Sequence, residues 1–96
     1  MRNLTITSPF ITGTDVELVQ AAVAKATGRR LLVDGEYGPA TAAAVAYWKR
    51  YLAGYPERML RGHLANSIGA TGYAYLTGKK KLPAAWRARA AIRRRT

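Results

Sequence analysis

The carboxylates of this chain are few, and two of the five sit two residues apart, at Asp34 and Glu36, around Gly35. A pair on one tight turn cannot flank a glycosidic bond as two catalytic carboxyls must, and no apolar pocket is evident to raise a carboxyl pKa. The same pair falls short of the six or more oxygens that calcium requires. His63 is the only histidine and there is no cysteine, which excludes thiol catalysis, disulfides and thiolate metal sites. A zinc site would have to gather scattered acids around His63, and a serine triad would lack an orienting acid near it. The expectation is a chain without catalytic residues, metal or cofactor.

What the turn can do is bind. Asp34 offers an acceptor to an amide or sugar hydroxyl, or it caps its own turn, an Asx-turn in which Gly35 supplies the positive φ. Tyr37 offers a ring with a polar tip, or packs inward with only its hydroxyl exposed. Thr41 lies one turn into the helix that follows, placed to reach a groove or to bond back to the turn. Six tyrosines stand against one phenylalanine, a set suited to carbohydrate or protein contact. Tyr47 and Tyr73 complete a candidate ligand set of Asp34, Gly35, Tyr37, Thr41, Tyr47 and Tyr73. Trp48, by its spacing, belongs to the core.

These residues need helices to hold them. Thr14 with Glu17 matches a capping box, so a helix should begin at Asp15, and Val16, Val19 and Val23 give it one apolar stripe. Gly28 should end it in a left-handed cap. Leu31, Leu32 and Val33 should plug into the core. Gly38 reads as an N-cap with Pro39 at the first helical position, where its missing N–H costs nothing. That second helix should reach Ala53, with Val45, Trp48 and Leu52 on one face, and stop at Gly54 and Pro56. Leu4 and Ile6 alternate like a short edge strand or arm. Residues 57–64 allow one helical turn. A short third helix is expected around Tyr73–Leu76, stopped by Gly78. Pro83 should open a last helix to about Arg93, with Ala85, Ala88 and Ile92 facing the body and Arg87, Arg89 and Arg94 facing outward.

Charge divides the 96 residues unevenly. Residues 1–57 carry six Lys/Arg and five Asp/Glu, whereas residues 58–96 carry ten Lys/Arg and no acid. Lys79, Lys80, Lys81, Arg87, Arg89, Arg93, Arg94 and Arg95 form the candidate surface for an anionic partner: wall teichoic acid, lipid headgroups, nucleic acid or an acidic protein face. Nucleic-acid binding through it would be non-specific and steeply salt-dependent, since no sequence-reading motif accompanies it. A solvated basic tail that only aids solubility is the plain alternative. No apolar run approaches the length of a membrane span or forms a signal peptide, so synthesis in the cytoplasm is expected.

The motifs resemble those of the peptidoglycan-binding domain-like family, the small three-helix modules of bacterial wall hydrolases and phage lysins. Gly13-Thr14-Asp15-Val16 with Val19-Gln20 is similar to the family's G-x-D-V-x-x-L-Q opening. Asp34-Gly35-Glu36-Tyr37-Gly38-Pro39-Ala40-Thr41 is similar to its D-G-x-F-G-P-x-T turn, and Ala44-Val45 with Trp48 to its A-V-x-x-F. The likeness covers roughly residues 4–76. Lys49 stands where the family has Gln, Asn66–Tyr73 lacks the acid of a second turn, and the arginine-rich end lies outside the pattern.

The resemblance implies a mainly α, compact three-helix module over 1–78 with a basic C-terminal helical extension over 79–96. By the same resemblance the function is non-catalytic binding of peptidoglycan, in a phage or bacterial lytic system. The chain would act at the wall after lysis or within a phage particle. The alternative is a phage virion structural or assembly protein reusing the fold for protein contacts, its basic tail docking on an acidic partner or nucleic acid.

Overall fold

The computed structural model describes residues 1–95. Among them are four α-helices and two 3₁₀ turns, and no strand. Helix α1 spans Thr14–Thr27 and α2 spans Pro39–Tyr47. The latter runs on through Trp48–Ala53 in π-helical register. The 3₁₀ turns occupy Glu57–Met59 and Gly62–Asn66. Helices α3, Ala70–Thr77, and α4, Ala84–Arg95, complete the chain.

Glycine punctuates these helices much as the sequence suggests. Gly28, Gly54 and Gly78 each take left-handed φ values of 70–82° at helix ends, a conformation that strains any residue with a Cβ. Gly38 and Pro39 open α2 as expected. The start of α1 differs. No side chain caps it; Gly13 is the N-cap, and its carbonyl accepts from Val16 and Glu17. Asp15, rather than Thr14, reaches a backbone N–H, that of Val16 at 3.0 Å. Its other partner is Arg2 at 2.8 Å, so the expected capping box is replaced by an ion pair from the N-terminal arm.

The core gathers Val16, Val19 and Val23 from α1, Val45 and Trp48 from α2 and its extension, Leu4 from the arm before α1, and Tyr37, Tyr55 and Ile68 from the segments between helices. Burying each valine contributes about 1.5–3 kcal/mol, and the stripe at 16, 19 and 23 is the one that helical spacing marks. Leu4 forms no edge strand. It makes a single antiparallel bridge with Ile68, with N–H···O distances of 2.7 and 2.9 Å, and both side chains are buried.

Two packing expectations fail. Leu31 alone of the 31–33 run is half-buried; Leu32 is 75% exposed and Val33 47% exposed. The Asp34-Gly35 turn bonds back onto α1 and leaves Leu32 and Val33 outside the core, with only Leu31 packed against it. Helix α4 also sits rotated from its expected face. Ala85, Ala88 and Ile92 point to solvent, while Trp86, Ala90 and the stems of Arg89 and Arg93 meet the body. Trp86 has more apolar surface to bury than alanine, and its ring lies 4.7 Å from that of Tyr55.

Candidate functional site

Gln20 is the residue on which the mid-chain turn is built. Its side chain is almost fully buried on a helix otherwise striped with valine. Its Nε2, with two N–H donors shared among three acceptors, lies 3.0 Å from the Asp34 carboxylate, 3.0 Å from the Glu36 carbonyl and 2.9 Å from the Thr41 hydroxyl. Its Oε1 accepts from the Gly35 N–H at 3.0 Å. One amide thereby ties α1, the turn and the first turn of α2 together. A buried amide left unpaired would be costly, so this bonding fixes the turn conformation.

The turn is closed from two further sides. Asp34 Oδ1 accepts from the Glu36 N–H at 3.0 Å, the Asx-turn geometry. That bond first, then the Gln20 amide, holds the Asp34 carboxyl below its ordinary pKa. Gly13 donates to the Gly35 carbonyl at 3.1 Å, and Tyr37 donates to Ile11 at 2.9 Å. Gly35 itself has φ +77°, and a Cβ there would meet the Glu17 side chain at 3.3 Å.

Beside this turn lies an open hollow of about 250 Å³. Phe10, Leu31, Leu32 and Pro39 give it apolar walls, and Asp34 and Glu36 stand among them. Phe10 packs on Gly38, where an added Cβ would approach its ring to 3.3 Å. The structure thus offers a rigid acidic turn with an apolar wall.

The six candidate ligand residues are not brought together. Asp34 is exposed at the hollow, and Thr41 lines it, though the Thr41 side chain is nearly buried and bonded to Gln20. The Gly35 amide is consumed by Gln20, so it has no N–H to offer. Tyr37 is a correction: its side chain is fully buried and its hydroxyl donates to the Asn66 carbonyl at 2.7 Å. Burial pushes that phenol well above the usual tyrosine range. The ring fills the centre of the core, so it presents no surface to a ligand. Tyr73 is half-buried against the core. Tyr47 lies elsewhere, its ring 5.1 Å from Tyr51 and covered by the Arg29 guanidinium at 4.6 Å. With Tyr51, Arg93 and Arg94 it frames a separate hollow.

The basic residues divide into two groups. Arg89 donates to the Gly54 carbonyl at 2.8 Å, Arg93 to the Arg50 carbonyl at 3.0 Å, and Arg94 to the Tyr51 carbonyl. These are carbonyls at the C-terminal end of the π-helical extension, where a helix lacks N–H partners and welcomes positive charge. Arg89 and Arg93 therefore clamp α4 in place; the expectation that Arg89 faces outward is corrected. Lys79, Lys80, Lys81, Arg87 and Arg95 remain exposed.

Sequence reasoning underrates Gln20, passes over Phe10 and assigns Leu32 to the core rather than to the hollow. A glutamine inside a valine stripe was the available signal for the first. The only phenylalanine, next to Pro9, was the signal for the second. Among the described residues no three His, Cys, Asp or Glu side chains gather as metal ligands would. No helix among them is long and apolar enough to cross a membrane. No family model matches the chain, and no curated protein or solved structure is significantly similar to it.

Proposed function

We propose that this chain is a non-catalytic binding module for peptidoglycan, acting at the cell wall as part of a phage or bacterial lytic system. One observation carries the reading: the Gln20 amide bonds the Asp34 carboxylate and the Glu36 backbone carbonyl, fixing the turn beside an apolar wall of Phe10, Leu31 and Leu32. Fixed acceptors suit sugar hydroxyls and peptide amides, and apolar side chains suit the acetyl methyls and sugar faces between them. The residues that carry the resemblance to wall-binding modules are the same ones that build this turn. The ligand set moves from the buried Tyr37 to Phe10, Leu32, Asp34 and Glu36. Exposed lysines of the second half add long-range attraction to anionic wall polymers.

Sedimentation with purified sacculi in moderate salt tests the proposal. The wild-type chain is expected to be retained, and Leu32→Ser and Phe10→Ala to lose about tenfold in affinity, the loss of one well-placed apolar contact. Leu32 is mostly exposed, so its variant should melt at the wild-type temperature. Absence of wild-type retention would sink the reading.

A virion assembly role is the second reading, favoured by the exposure of Leu32, Val33 and Phe10 together. Apolar side chains clustered at the surface are what a protein contact covers. A chain that elutes as a monodisperse monomer and is absent from purified particles would remove it.

A further inference from the structure

Away from the acidic turn, Lys49 occupies a position that needs explaining. The residue is only 8% exposed, on the π-helical extension of α2. Its Nζ donates to the Leu64 carbonyl at 2.9 Å and lies 5.1 Å from the centre of the Tyr55 ring. A lysine ammonium has three N–H donors, and a single carbonyl and a ring face are what it meets here. Burial without a counter-charge is costly for an ammonium, and it pushes the Lys49 pKa down to about 8.

Two open hollows meet at this lysine, and no carboxylate lines either. The larger, about 580 Å³, has aromatic walls of Tyr55, Tyr75 and Trp86 and a polar margin of Asn3 and Thr71. Lys49 is the one charged side chain lining it, and the Lys80 ammonium lies 5.2 Å from the centre of the Tyr75 ring in its wall. The first turn of α3, Ala70-Thr71-Gly72, forms another side, and no side chain caps that helix start. Its unbonded N–H groups and the buried ammonium favour the same sign of ligand charge.

The geometry points to a second binding site, in which Lys49 and the start of α3 hold the carboxylate of a small monoanion whose apolar body lies against Tyr55, Tyr75 and Trp86. The aromatic wall distinguishes the site from an ordinary basic patch, because it selects for an apolar group next to the acid. The site is separate from the Asp34 groove and does not depend on wall binding.

Benzoate is the probe, compared with acetate, inorganic phosphate and chloride at equal ionic strength, on the full chain. Benzoate at ten times its dissociation constant should raise the melting temperature by about 5 °C or more, with acetate weaker and chloride without effect. Lys49→Met should abolish that rise. Equal responses of wild type and Lys49→Met, or a response to phosphate alone, overturn the site. Should Lys49→Met fail to fold, backbone amide shifts in the wild type decide. Benzoate-induced shifts at Ala70, Thr71 and Gly72 support it. Shifts confined to Lys79–Lys81 and the α4 arginines overturn it.

Discussion

A single buried amide and a single buried amine show how individual residues divide between structure and function here. Gln20→Leu would leave the Gly35 N–H and the Thr41 hydroxyl without the partners they now have. We expect a loss of about 3 kcal/mol in chemical denaturation, the cost of two orphaned groups. Tyr37→Phe removes only the bond to Asn66 and should cost about 1 kcal/mol, with retention on sacculi unchanged because the ring lies inside. A fall in retention at full stability would restore Tyr37 to the ligand set. Lys49 predicts a pH dependence. Its folded pKa, about 8, lies below the ordinary 10.5, so the unfolded chain binds the extra proton between them. Stability from this group is therefore present above the unfolded value and lost as pH falls through the folded one. Against Lys49→Met, the wild type should gain roughly 2 kcal/mol between about pH 8 and pH 10 in denaturant titrations free of carboxylate. The spacing of Asp34, Gly35 and Thr41 was legible in the sequence, but their convergence on Gln20 was not. A pattern of types does not say which polar side chain points inward.

Helices were the most legible feature, because glycine and proline act on the backbone locally. Gly28, Gly38 with Pro39, Gly54 and Gly78 all mark helix ends where left-handed or N-cap geometry is required. The orientation of α4 was not legible. An Ala/Arg-rich sequence has a weak apolar stripe, and its face is chosen by Trp86 and by carbonyls on another element. Gly54 is the place where the two elements touch. A Cβ there would overlap the Trp86 carbonyl and approach the Ala90 nitrogen to 2.9 Å. Gly54→Ala should therefore release α4, beyond the strain of its φ of 78°. Limited proteolysis would read this as early cleavage after Gly78, with α1 and α2 still protected. A variant as resistant as the wild type would contradict the close approach.

For the molecule as a whole, a net charge of +11 is partly spent on internal contacts. Arg89 and Arg93 hold α4 to the π-helical extension, while Lys79, Lys80 and Lys81 face solvent. Stability and attraction to polyanions should thus separate. Arg89→Ala should lower the melting temperature by about 5 °C, a hydrogen bond to a charged group. The double Lys79/Lys81→Ala variant, which spares the Lys80 contact with the Tyr75 ring, should leave melting within a degree or so and weaken retention at low salt, with a shallower salt dependence. Equal effects of the two variants on both measurements would show that this division of the cations is wrong.

The bridge between Leu4 and Ile68 spans most of the chain. Joining such distant partners carries a loop-closure entropy that local helix formation avoids. During synthesis Leu4 emerges first yet must wait for Ile68 to leave the ribosome before it can be covered. Truncation ahead of residue 68 would leave that leucine permanently without its mate, so the shortest fragment that folds must run at least that far.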